Sequence, residues 1–207
     1  MSAEDRAAWL QRLFGLEADG YFLFYGAIEP KKNIGRLIEA YLEAGAKLPL
    51  VIVGREGWRA ANELRLLAGA HGRRLDGADA IRRIDHLPRD MLLRLVQGAR
   101  AVVFPSLYEG FGLPAAEAMA LGKPVLTSAL GATAEIVGDA ALTVDPYDVS
   151  AIASGLQALD RDPGLRARLG AAGPARAARF SIPRQAERLD ALYSAVLAQD
   201  PAVIAAQ

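Results

Sequence analysis

No cysteine occurs anywhere in the 207 residues, which excludes a disulfide framework and thiolate chemistry and fits a reducing cytosol. Net charge is equally absent, since 24 Lys and Arg balance 24 Asp and Glu. A general electrostatic reason to expect nucleic acid is therefore missing, because its binders carry a basic face. No apolar run reaches the roughly 18 residues of a membrane span. The N-terminal "MSAEDRAAWLQRL" also lacks the apolar core of a signal peptide. The expected location is the cytosol, with peripheral contact at the inner face of a membrane as the alternative.

What is present is a set of short, continuously apolar runs alternating with amphipathic ones. "YFLFYG" from Tyr21, "LPLVIVG" from Leu48, "AVVFP" from Ala101, "PVLTS" from Pro124 and "ALTVD" from Ala141 read as strands, with a weaker one at "IRRID" from Ile81. Strands without polar alternation are buried on both faces, which implies a parallel sheet covered by helices: a doubly wound, Rossmann-like α/β fold. The intervening helices include one behind Asn33 as N-cap, one from Pro88 and one from Pro114 closed by Gly122. From Asp148 the chain reads as helical, broken at "RFSIPRQ". The expected organisation is a linker or lead-in helix over 1–19, a ligand-binding domain over 20–180, a crossing helix over 181–199 and a frayed tail over 200–207. His71, in a polar loop, carries no signal beyond an exposed position.

In a doubly wound sheet ligands sit beyond the carboxyl ends of the strands, where "GAIEPKKN", "GREGW", "HLPRD" and "SLYEGFGLP" converge. The last of these continues into a helix at Pro114, whose first N–H groups lack intrahelical partners and suit a phosphate oxygen. Gly110 and Gly112 let backbone approach a ligand, and Glu109 and Glu117 flank the run. Carboxylates accept hydrogen bonds from vicinal hydroxyls, so phosphate, ribose and sugar together would use all three parts. Lys31 and Lys32, with a helix start at Asn33, would neutralise a diphosphate without metal; a solvated surface pair is the bland alternative. Gly110, Gly112 and Ala115 also match G-x-G-x-x-A, but too far from their strand for a dinucleotide fingerprint.

"PSLYEGFGLPAAEAMALGKPVLTS", "YGAIEPKKN" and "VGDAALTVDPYD" together resemble the C-terminal, donor-binding domain of the family 4 retaining glycosyltransferases, also called glycosyl transferases group 1, of the two-domain GT-B fold. The resemblance covers about residues 20–197 and implies a hexosyltransferase using a nucleoside-diphosphate sugar, with no cofactor and no metal. By that resemblance Lys32 and Glu109 are the catalytic candidates. Lys32 would hold the diphosphate, Glu117 the ribose and Glu109 the transferring sugar, with backbone from Phe111 to Leu113 meeting sugar and phosphate. Gly26, Ala27, Asn33, Gly54, Gly110 and Gly112 complete the donor loops, and His86 and Leu87 would flank the base. "GAIEPKKN" and "VIVGREGW" resemble mannosyltransferase-like members, which makes GDP-mannose the first donor to expect and a glycan or lipid-linked molecule the acceptor.

The chain departs from the family pattern at Ala27, where many members carry an Arg, and at "GATAE", which weakens Glu135 as a donor contact. One α/β domain is expected, without the family's N-terminal acceptor-binding domain, so donor binding without efficient transfer is the implied behaviour. "SIPRQAERLDALYSAVL" looks like the returning helix, whose stripe Leu189, Leu192 and Val196 would fold onto residues 1–19, pair two copies or pack on its own sheet. A non-catalytic nucleotide-binding or assembly module is the alternative function. A hydrolase using Glu109 and Glu117 as acid and base would leave Lys32 unexplained.

Overall fold

The computed structural model describes residues 2–67 and 80–198. Ala68, His71 and the tail from 200 lie outside the described residues, as does the expected polar loop except Ala80. Six strands, β1 (Phe22–Tyr25), β2 (Leu50–Val53), β3 (Ile81–Ile84), β4 (Ala101–Phe104), β5 (Val125–Ser128) and β6 (Leu142–Val144), form one parallel sheet in the order β3-β2-β1-β4-β5-β6. The chain winds outward from β1 to β3, then returns to β4 on the other side of β1. The crevice between β1 and β4 is thus the topological switch point, where such sheets bind ligands. The expected doubly wound α/β fold is borne out.

Side chains alternate along each strand, so each face collects one core. On one face Phe22, Phe24, Leu50, Ile52, Ala101 and Val103 pack with α2 (Ile34–Ala44) and α7 (Val149–Arg161). On the other, Leu23, Val51, Val102 and Val125 meet α1 (Ala3–Phe14), α4 (Arg89–Gly98), α5 (Leu113–Ala120) and α6 (Gly131–Val137). Every strand residue of β1, β2, β4 and β5 is buried, which is why these strands show no polar alternation. The edge strand β3 tolerates Arg82 and Arg83 because, among the described residues, one side of it has no neighbouring strand.

The lead-in segment is a packed helix. Ser2 and Asp5 form a reciprocal capping box, Gly15 ends α1 in the left-handed conformation, and Leu10 is fully buried against the α4 face. Three local features refine the expectations. The helix that the apolar Leu64, Leu67 and Ala68 predict after β2 is, among the described residues, Ala60–Glu63 (α3) followed by a 3-10 turn at Arg65–Leu67. "GATAE", which replaces the family's usual loop, opens α6, with Glu135 exposed on it. At the far end, α8 (Pro163–Ala178) and α9 (Ile182–Leu197) are separated as expected, but Leu189 and Val196 stay exposed while Ala195 is the buried residue of α9. The apolar stripe is therefore not buried on the sheet.

Candidate functional site

The loops after β1 and β4 are tied together across the switch point by backbone and side chain. The Leu107 N–H donates to the Lys31 carbonyl at 2.8 Å. Asn33, 2% exposed, donates from its Nδ2 to the carbonyls of Pro105 (2.9 Å) and Pro146 (2.7 Å), while its Oδ1 accepts from Arg36 at 3.0 Å. Asn33 occupies the cap position of α2, but in the left-handed region and with no side-chain capping bond. The expected cap is therefore a bridge between three loops. One N–H at the start of α2 is also taken: Gly35 donates to the Glu63 carboxylate at 2.8 Å.

This bridging sets Lys32 and Glu109 side by side. Lys32 Nζ lies 2.6 Å from Glu109 Oε1, with the side chains 12% and 11% exposed, and 5.0 Å from the Phe104 ring centroid. Lys31, by contrast, is exposed and pairs with Glu29 at 3.3 Å. Of the two lysines in "EPKKN", only the second reaches the switch point.

Glu117, on α5, is oriented by residues from two other elements. Tyr25, the last residue of β1, donates its hydroxyl to the Pro114 carbonyl (2.8 Å) and to Glu117 Oε2 (3.2 Å). Burial, and then the charge of Glu117, push the Tyr25 phenol well above its ordinary pKa. Arg89, the first residue of α4, donates to Glu117 Oε1 at 2.7 Å, and that bond raises its own pKa. A carboxylate has about four lone-pair sites. Two are occupied, and the remaining pair matches a vicinal diol.

Gly26, Ala27, Gly54, His86 and Leu87 line one cleft over the ends of β1, β2 and β3, together with Tyr25. Because Tyr25 also bonds Glu117, that cleft adjoins the Glu117 carboxylate. The glycines differ in kind. A Cβ on Gly54 would lie 1.8 Å from the Gly26 carbonyl oxygen, and one on Gly112 (φ 95°) would lie 2.9 Å from Thr133 Cγ2, whereas one on Gly110 would meet nothing within 4 Å. Packing requires the first two, and Gly110 leaves exposed backbone beside Glu109. Phe111 packs edge-on against Phe180 at 5.6 Å between centroids, and Leu113 is exposed. Glu135 is exposed on α6.

Tyr25 and Arg89 escaped the sequence reading. Arg89 had one usable signal: a cation at the first position of a helix opposes the helix dipole and needs a compensating acid. With Arg89 largely exposed, water screens its pair with Glu117. An Arg89→Ala variant is therefore expected to weaken binding of a nucleoside diphosphate by only about threefold to fivefold by calorimetry, with a loss above 100-fold arguing for direct ligand contact. Asp160 and Asp162, an Asp-X-Asp pair, lie far from these loops in role: Asp160 pairs with Arg100 at 2.9 Å and Asp162 caps α8. Among the described residues no group of three His, Asp or Glu side chains is placed to hold a metal ion, and no helix is long and apolar enough to cross a membrane.

In sequence and fold the chain is similar to known proteins. Residues 5–176 match the family model described as "Glycosyl transferases group 1". The chain is 38% identical over 172 residues, 81% of its length and 44% of the relative's, to O-antigen chain mannosyltransferase B of Escherichia coli. It is 34% identical over 204 residues, 93% of its length and 45% of the relative's, to D-inositol 3-phosphate glycosyltransferase of Acidothermus cellulolyticus. Among solved structures, sucrose-phosphate synthase from Thermosynechococcus elongatus superposes with a TM-score of 0.74 at 29% identity, covering 93% of this chain and 49% of that one. The chain thus spans about half the length of the curated relatives it matches. It belongs to the glycosyl transferases group 1 family.

Proposed function

We propose that this chain is the donor-binding half of a retaining hexosyltransferase that takes its sugar from a nucleoside diphosphate. The observation that carries the reading is the placement, around one switch point, of the Lys32–Glu109 pair and of a Glu117 carboxylate held by Tyr25 and Arg89. The base would enter the cleft between Ala27 and His86, its ribose hydroxyls would meet Glu117, and the diphosphate would reach Lys32 and the start of α5. Departure of the diphosphate breaks the sugar C1–O bond and leaves the electron pair on the phosphate oxygen, while the acceptor hydroxyl oxygen forms the new bond to C1 and its proton goes to that phosphate oxygen. Lys32 stabilises that growing charge electrostatically, and Glu109 holds the hydroxyls of the sugar.

GDP-mannose is the first donor to test, because the relative at 38% identity carries the name of a mannosyltransferase; a glycan or lipid-linked molecule is the matching acceptor class. Transfer would require an acceptor-binding domain, in the same polypeptide or another, so the chain alone would bind donor and turn it over poorly. The test is calorimetric titration with GDP, UDP, ADP and NAD in the presence of chelator. Saturable binding of one nucleoside diphosphate is expected, weakened about 30-fold to 100-fold by Lys32→Ala, the size of a lost charge-assisted phosphate contact. Glu117→Ala should weaken it as well. Binding of NAD alone, or indifference to both substitutions, would overturn the reading.

A further inference from the structure

We propose that Glu109 makes the site discriminate against a free nucleoside diphosphate in favour of the sugar-capped one, by setting a fixed negative charge beside the cation that holds the diphosphate. This rests on the donor-site reading above and goes beyond it, because it gives Glu109 a task in product release separate from any contact with the sugar.

The Lys32–Glu109 pair carries no net charge, and its 2.6 Å contact is largely shielded from water. Neither partner is free to swing away cheaply. The loop of Lys32 is bonded to the loop of Glu109 through Leu107 and Lys31 and through Asn33 and Pro105, and the Lys32 ammonium is backed by the Phe104 ring. An ammonium has three donors and no acceptor. One donor goes to Glu109, so a phosphate that uses the others lies within about 5 Å of the carboxylate. A phosphate esterified on both sides keeps about one negative charge, whereas a terminal phosphate above its second ionisation near pH 6 carries nearly two. The extra charge appears on the group nearest Glu109, and it appears only when the sugar is gone.

The cost therefore falls on the product. At separations near 5 Å a like-charge contact is worth about fourfold in affinity in bulk water and up to a few hundredfold near a protein surface, so a change of about tenfold or more is expected. Gly110, next to Glu109, leaves open space where a side chain would project, so a departing diphosphate meets charge there and no steric barrier.

The experiment is calorimetry with GDP, GDP-mannose, UDP and UDP-glucose on the unaltered chain and on Glu109→Gln, Glu109→Ala and Lys32→Ala, each checked by its thermal midpoint. Glu109→Gln keeps the size of the side chain and removes the charge. It is expected to bind the free nucleoside diphosphate about tenfold tighter, with the sugar nucleotide unchanged or weaker, so the ratio of the two dissociation constants moves by tenfold or more. Glu109→Ala should move the ratio in the same direction. If Glu109→Gln binds the free diphosphate no tighter while Lys32→Ala still weakens it, the discrimination is refuted and the donor-site reading stands. Equal shifts for free and sugar-capped ligands would refute the discrimination too. If Lys32→Ala changes nothing, or no nucleoside diphosphate binds, both fall.

Discussion

A Gly54→Ala variant is expected to lose about 4 kcal/mol of stability or more, which for a domain of this size lowers the thermal midpoint by roughly 10 °C. The added Cβ would lie 1.8 Å from the Gly26 carbonyl oxygen and 2.9 Å from its carbonyl carbon. Both are backbone atoms, so no rotamer can relieve the clash. The strands would have to part by roughly 1 Å, well beyond what core repacking absorbs. The Gly26 N–H bonds the Val53 carbonyl and the Gly54 N–H bonds the Ile84 carbonyl, each at 2.9 Å. Separation would break the ladder where β1, β2 and β3 deliver their loops. Gly26, Ala27 and Gly54 also border the cleft proposed for the base, so nucleotide affinity should fall at temperatures where the variant is still folded. Thermal unfolding followed by circular dichroism, with titration at 15 °C, separates the two losses. An unchanged midpoint would mean that this loop yields more easily than its backbone contacts imply.

Gly54 illustrates what could be read beforehand and what could not. As a residue on a loop at the carboxyl end of a strand it was a fair candidate for ligand approach, yet the structure gives it a packing reason that sequence cannot supply: the partner, Gly26, is 28 residues away. The strands themselves were legible because burial on both faces removes polar residues, and even "IRRI" kept enough apolar character to mark a weak strand. Lys32, Glu109 and Glu117 were legible because the loops carrying them resemble family motifs. Their partners were not, since Tyr25 looks like one more apolar strand residue and Arg89 like a surface cation. Asn33 was misread for a physical reason: asparagine before a helix signals a cap, but asparagine also tolerates the left-handed region, and only the neighbouring loops reveal which use is made of it. The short helix α6 was legible only as a helix start at Glu135, since Gly131 and two alanines leave too few apolar positions to show a period.

The bridging role of Asn33 leads to the second large effect. An Asn33→Asp variant keeps the shape of the side chain and its tolerance for φ near 60° but replaces the amide donor with a carboxylate oxygen facing the carbonyls of Pro105 and Pro146. Arg36 would still donate to the other oxygen. The site is 2% exposed, so two acceptors lose their partner and meet a buried negative charge, at a cost of about 3–5 kcal/mol near neutral pH. Burial and the facing carbonyls raise the folded-state pKa of the new carboxyl above its unfolded value of about 3.9. A raised folded pKa contributes stability that is fully present below the unfolded pKa and is lost as pH rises through the folded one. The deficit relative to Asn33 should therefore be smallest near pH 4, where the acid is protonated and can donate one bond, and largest at pH 7. Denaturant titrations of both proteins at the two pH values measure this directly. If the deficit does not change with pH, the carboxylate is escaping to water and the three loops are not clamped as tightly as the Asn33 bonds indicate. If it changes as expected, Lys32, the residue before Asn33, is held to Glu109 by a clamp that the variant loosens, and nucleoside diphosphate affinity should fall with the same pH dependence.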